Sequence, residues 1–313
     1  MFLVTGGAGF IGSHVAERLL REGHRVRVLD NFSTGRRENL AFAAGDARLE
    51  VVEGDITDLK TAVRAAQGVE VIFHQAAMRS VPRSVDDPLG ANQNNVTGTL
   101  HVLMAARDAG VCRVVYASSS SVYGDRPELP KREDQSPAPI SPYAASKLAG
   151  EHYCAVWSRL YGLETVGLRY FNVFGPRQDP TSQYAAVIPR FILWARRGEA
   201  LQLHGDGLQS RDFTYIDNVV EANLLAARAP GVAGQMFNVG CGGRVTLMEI
   251  IRGLEAIVGR RLDREHTARR PGDVPHTLAD IGKAKRLLGY TALVEFEEGL
   301  KRTVEFFSGG DTP

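Results

Sequence analysis

Cysteine is scarce: Cys112, Cys154 and Cys241 are the only three in 313 residues, with no C-x-x-C pair among them. An odd, scattered set excludes a disulfide framework and a cysteine zinc centre, so no metal is expected and a reducing, cytoplasmic setting fits best. Excess charge is also missing. Lys and Arg number 37 against 36 Asp and Glu, leaving +1, so no overall field draws the chain to nucleic acid or to an anionic membrane. A few local arginines still suffice for a small anion. No run approaches the roughly 18 apolar residues of a membrane span. The apolar opening Phe2-Leu3-Val4 has no basic leader and turns glycine-rich at Gly6, which reads as a strand and not as a signal peptide.

What remains is a chain with 44% hydrophobic residues, long enough for one large or two modest domains with a sizeable core. Short β-rich runs alternate with helical stretches through the first half. Strands are expected at residues 2–5, 25–30, 49–54, 69–75, 113–118 and 164–170. A helix over 11–22 places Val15, Leu19 and Leu20 on one face. This alternation predicts an α/β fold, a Rossmann-type doubly wound parallel sheet. Runs such as Val71-Ile72-Phe73 and Val114-Val115-Tyr116 suit strands buried on both faces. After Phe171 the rhythm breaks. Helices are expected at 185–197, 215–228, 247–258, 281–288 and 297–307, with short strands near 201–204 and 236–239. The division expected is a dinucleotide-binding domain over 1–171 and a smaller substrate lobe over 172–313, parts of which return to the first.

Gly6, Gly9 and Gly12 join the first strand to the first helix. Such a turn lets backbone approach a pyrophosphate, and the helix start at Phe10 and Ile11 offers free N–H groups and a positive dipole end. A glycine cluster alone is often just a turn. Here a strand precedes it, an amphipathic helix follows, and Asp30 ends the second strand 18 residues after Gly12, placed to accept hydrogen bonds from an adenosine ribose. A carboxylate there repels a 2′-phosphate, so NAD is favoured over NADP, with Arg36 and Arg37 near enough to keep the second open.

Tyr143 and Lys147 lie four residues apart after Ser141 and Pro142. Serine can cap a helix and proline suits its first position, and a spacing of four puts phenol and ammonium on one face. The ammonium and a cationic nicotinamide would bring a phenol of ordinary pKa about 10 into working range as a base. Upstream, the fifth strand ends in Ser118-Ser119-Ser120-Ser121, at the carboxyl edge where ligands sit in parallel sheets. Together the three features point to hydride transfer to and from an alcohol.

These motifs, with Arg169-Tyr170-Phe171-Asn172 and Arg211-Asp212-Phe213-Thr214-Tyr215-Ile216, resemble the extended short-chain dehydrogenases, most closely the UDP-hexose 4-epimerases, over about residues 1–307. The resemblance implies that Tyr143 is the base at the sugar 4-hydroxyl. Ser119 would hydrogen-bond that hydroxyl with Ser120 beside it, and Lys147 would hold the nicotinamide ribose. Asn31, Asp55, Ile56, Gln75, Ala76, Ala77, Asn95 and Phe171 would join the cofactor site. Asn172, Val187, Gln202, His204, Arg211, Arg270, Asp273 and Thr277 would hold the UDP-sugar. Arg270 could equally be a solvated charge. A homodimer through helices near 92–109 and 143–160 is also implied.

Related dehydratases and decarboxylases carry an acidic residue beside the catalytic hydroxyl. Here Ser120 and Ser121 stand there, and no carboxylate follows before Asp125, which favours epimerisation. Epimerases restricted to glucose and galactose typically have tyrosine where Thr277 stands, so a small residue leaves room for a 2-acetamido group. Arg79 could meet a substrate carboxylate, which keeps UDP-glucuronate open. The same motifs would also suit a net dehydrogenase or a non-catalytic NAD-binding regulator. The first should accumulate NADH with substrate. The second predicts damage at Tyr143 or Lys147, and both are intact.

Overall fold

The computed structural model describes residues 1–181, 186–268 and 274–309. Six strands form where the sequence predicts them: β1 (Phe2–Thr5), β2 (Val26–Asp30), β3 (Leu49–Glu53), β4 (Val71–His74), β5 (Arg113–Ser119) and β6 (Glu164–Tyr170). They join one parallel sheet whose seventh strand, Gln235–Val239, comes from the C-terminal half and pairs with β6. The spatial order is Gln235–Val239, β6, β5, β4, β1, β2, β3. Strand order therefore reverses between β1 and β4, and the crevice at their carboxyl ends is where such sheets bind ligands.

Side chains alternate across each strand and feed two cores. Val4, Phe73 and Val115 face one layer, where Val15 and Leu19 of the helix Phe10–Arg21 meet Val219 of the helix Ile216–Arg228. Leu3, Ile72 and Val114 face the other. There they meet Ala62, Leu103 and Trp157 from the helices Leu59–Ala66, Gly98–Asp108 and Pro142–Tyr161. Burial on both faces explains why these strands are almost wholly apolar.

Beyond β6 the chain builds small pairings: Leu201–His204 with Arg264–Thr267, Ser210–Arg211 with Val245–Thr246, and Val173–Phe174 with Thr214–Tyr215. The helices Val187–Arg197, Leu247–Val258, Gly282–Leu288 and Phe296–Gly309 complete this half. Elements that the periodicity did not predict include the Arg264–Thr267 strand, the 3₁₀ turn Arg37–Ala43, the helix Leu59–Ala66, the short helices Val81–Asp86 and Pro88–Asn92 and the two-residue strands of the second half. Arg264-Glu265-His266-Thr267 is exposed throughout, so it carries no hydrophobic alternation to read.

Candidate active site

The glycine turn is forced by contact. Gly6 has φ 66°, and a Cβ there would lie 2.7 Å from the Ala76 nitrogen at the end of β4. A Cβ on Gly12 would lie 2.2 Å from the Gly6 carbonyl oxygen. The turn is held from both sides at Ala8. Its N–H donates to Asp30 Oδ2 at 2.9 Å, and its carbonyl accepts from the Arg36 N–H at 3.0 Å and Asn39 Nδ2 at 2.8 Å. The first helix is capped by Gly9 with no side-chain acceptor. Its leading N–H groups are thereby left open at the cleft that Gly9, Phe10 and Ile11 line.

That cleft encloses about 1010 Å³. Gly6, Gly9, Phe10, Ile11, Gly12, Asp30, Asn31, Asp55, Ile56, Gln75, Ala76, Ala77, Tyr143 and Lys147 all line it. Asp30 is buried, and burial raises its carboxyl above the ordinary value although the Phe32 and Ala8 N–H groups act against this. The two arginines that kept NADP open are engaged. Arg36 pairs with Asp179 at 3.2 Å, and Arg37 pairs with Glu53 while its guanidinium lies 4.1 Å over the Phe32 ring. A long cleft with a tight glycine turn, uncapped N–H groups and a carboxylate at the ribose position fits NAD.

Two expected cofactor residues lie elsewhere. Asn95 does not line the cleft; it is buried, with Oδ1 accepting from Met78 N at 2.7 Å and Nδ2 donating to Met78 O and to Ser146 Oγ at 2.9 Å. It ties the segment after β4 to the catalytic helix, while its neighbour Asn94 reaches the cleft. Phe171 is fully buried in the core, and Tyr170 takes the lining position.

The helix Pro142–Tyr161 starts as the sequence predicts, with Ser141 Oγ accepting from Ala144 N at 3.2 Å and Pro142 in its first turn. Ser84 Oγ also accepts from Tyr143 N at 3.0 Å. Tyr143 and Lys147 then face the cleft together. Burial pushes the Tyr143 phenol above its ordinary range, while a hydrogen bond with Ser119 and the positive charge of Arg79 pull it down. Lys147 Nζ donates to the Ala117 carbonyl at 2.9 Å, and burial lowers its ammonium to about 8. Ser119 ends β5 and accepts from Ser121 N at 3.2 Å and Ser121 Oγ at 2.8 Å. Ser120 opens the 3₁₀ turn that follows. Ser118 lines the cleft directly. A phenol influenced by a serine hydroxyl, lining the same cleft as a buried ammonium one helical turn along, can exchange a proton with an alcohol.

Three expected substrate residues converge in the second half. Asn172, at φ 32°, donates from Nδ2 to Thr277 Oγ1 and to the Asp212 carbonyl, each at 3.1 Å. Arg211 Nη1 donates to the Pro275 carbonyl at 2.9 Å, and Thr277 N to the Ser210 carbonyl at 3.0 Å. Beneath them, fully buried Asp212 accepts from the N–H groups of Cys241, Gly242 and Ala279, yet burial still raises it to about 6. Gln202 and His204 sit on the Leu201–His204 strand, where His204 Nδ1 hydrogen-bonds with Thr267 Oγ1 at 2.6 Å. Val187 begins its helix against the core. Arg270 and Asp273 lie outside the described residues.

A profile of the NAD dependent epimerase/dehydratase family matches residues 2–240. The chain belongs to that family. Over 97% of its length it is 43% identical to 97% of the UDP-glucose 4-epimerase of Mycolicibacterium smegmatis. It is 37% identical to the UDP-glucuronate 4-epimerase of Thermodesulfobacterium geofontis, with 97% of this chain and 95% of that one aligned. Among solved structures, a UDP-N-acetylglucosamine 4-epimerase from Methanobrevibacter ruminantium M1, in complex with UDP-N-acetylmuramic acid, superposes with TM-score 0.94 at 38% identity, covering 98% of both chains.

One wall of the cleft is read by the sequence only in part: Gln178-Asp179-Pro180 resembles the acetamido-preferring epimerases, and its other residues are given no role. Arg177, Gln178, Asp179 and Pro180 line it together with Phe306 and Phe307 from the last helix. The first group falls in the Pro- and Gly-rich break after Phe171, a signal for a functional loop. Phe306 and Phe307 carry no such signal, because their helix has the pattern of any amphipathic surface helix.

Proposed function

We propose that the protein interconverts UDP-hexoses at C4 through a 4-keto sugar. The observation that carries this reading is the Tyr143–Lys147 pair lining the NAD cleft, with Ser119 at the end of β5 acting on the Tyr143 phenol. Bound NAD supplies the acceptor, and then the donor, of one hydride at C4. Tyr143 takes the 4-hydroxyl proton and later returns it from the other side of the turned sugar. Ser119 orients that hydroxyl. Lys147 supplies positive charge that favours the phenolate and a donor for the nicotinamide ribose. The 3₁₀ turn Ser120–Tyr123 carries no carboxylate, so a dehydratase or decarboxylase lacks its acid at that place. The 1–171 segment holds the cofactor and 172–313 the UDP-sugar, although the Gln235–Val239 strand sits in the first segment's sheet.

Thr277, touching Asn172, leaves room for a 2-acetamido group, so both UDP-Glc/UDP-Gal and UDP-GlcNAc/UDP-GalNAc are substrates. One observation favours a second reading: Arg79 lines the cleft and its charge acts on Tyr143, a placement that suits the carboxylate of UDP-glucuronate. Incubation with UDP-Glc, UDP-GlcNAc and UDP-GlcA separately, with products identified by NMR, decides between them. Thr277→Tyr should remove acetamido-sugar turnover and keep UDP-Glc turnover; equal effects on both refute the gate.

The active unit is a homodimer. Leu89 is 83% exposed and Leu160 69%, with Val85, Val156 and Tyr161 also at the surface; these apolar side chains on the helices Val81–Asp86, Pro88–Asn92 and Pro142–Tyr161 support a second copy covering that side.

A further inference from the structure

We propose that Arg177 and Asp179 are positioning residues which fasten the segment after β6 across the cofactor cleft, so that the dinucleotide does not exchange during turnover. The inference rests on the epimerase reading, because a reaction with no net oxidation works only if the reduced cofactor stays until the sugar has turned.

Arg177 has φ 63°. A non-glycine residue persists in that left-handed region only when its surroundings over-determine it. Here they do. Its guanidinium pairs with Glu17, approaches Ser13 Oγ at 3.4 Å and lies 4.9 Å over the Phe42 ring. Ser13 and Glu17 both stand on the helix Phe10–Arg21, whose first residues line the cleft. A second bridge runs the other way, from Arg36 to Asp179 at 3.2 Å. Arg36 is itself anchored, its N–H donating to the Ala8 carbonyl of the glycine turn at 3.0 Å. Between the two bridges Gln178 is buried, with Nε2 donating to the Val173 carbonyl at 3.1 Å.

The same four residues, 177–180, line the cleft. Two crossed arginine–carboxylate bridges therefore bind the cleft wall to the elements that would grip the phosphates. Arg177 and Glu17 keep only 16% and 12% of their side-chain surface exposed, against 45% and 24% for Arg36 and Asp179. The inner bridge is the less screened by salt and carries more of the fastening.

Retention can be read without activity. The full chain is loaded with NADH, and loss of bound NADH fluorescence is followed after addition of excess NAD. Arg177→Glu and Glu17→Arg should each release NADH about tenfold faster or more, and the charge-swapped double variant should return most of the way to the native rate. Release at the native rate in both single variants, or a double variant as fast as either single one, overturns the fastening. Should Arg177→Glu fail to fold, Arg177→Gln with the same chase, and Arg36→Gln as the independent second bridge, carry the test, and unchanged release in both overturns it. A native protein that binds no NADH at all defeats the epimerase reading itself, a result distinct from a native protein that holds NADH regardless of Arg177.

Discussion

Substituting Gly12 by alanine probes the cofactor turn at its tightest point. The new methyl carbon would stand 2.2 Å from the Gly6 oxygen and 2.9 Å from the Gly7 Cα. Ordinary contact needs roughly 3.5 Å, so the helix start and the turn must part by about 1 Å. Overpacking of this kind costs about 1–3 kcal/mol. The larger effect falls on the cofactor. Moving the helix N-terminus by that distance spoils N–H contacts to the pyrophosphate, each worth about 1.5–3 kcal/mol when the acceptor is charged. Losing one weakens NAD binding by about tenfold or more, and losing two by about a hundredfold or more. Isothermal titration with NAD, alongside a thermal melt, reads both quantities. Gly243→Ala is the control, because a Cβ there meets nothing within 4 Å. Gly12→Ala protein that binds NAD within about threefold of the native affinity would refute the placement of the phosphates at this turn.

Other outcomes follow from the same geometry. Tyr143→Phe should lower kcat by about 10²–10⁴-fold while NAD stays bound; a fall of only a few-fold means another group takes the proton. The Lys147 ammonium, lowered from 10.5 to about 8, loses its charge as pH rises through about 8. Activity should then fall on the alkaline side, as seen in a kcat/KM profile, and a profile flat well past that point contradicts the role. Stability runs the opposite way: between about 8 and 10.5 the unfolded lysine still holds its proton and the folded one does not, so folding gains as pH rises in that window, measurable by denaturant titration. Leu160→Asp with Leu89→Asp should yield a monomer by sedimentation, and a persistent dimer places the interface elsewhere.

Much of the fold was legible because its determinants are local. Strands buried on both faces must be apolar along their length, and Val71-Ile72-Phe73 could be read as such without knowing its neighbours. Ser141 and Pro142 marked the catalytic helix to the residue. The misplaced residues share a cause. Asn95 and Phe171 lie one position from cleft-lining Asn94 and Tyr170, and resemblance fixes a segment more easily than the side its residues face. Arg264–Thr267 was invisible, since its pairing with Leu201–His204 rests on backbone bonds between segments some sixty residues apart.

By itself the sequence determined the parallel sheet, the glycine turn and the phenol–ammonium pair, because each is a matter of spacing within a few residues. Only the tertiary structure decided that Asp30 also pins the glycine turn through Ala8, that Asn172 and Thr277 meet across 105 residues, and that Arg177 reaches Glu17 across 160. Those contacts depend on how distant segments are brought together by burying their apolar faces, and no local pattern records the partner.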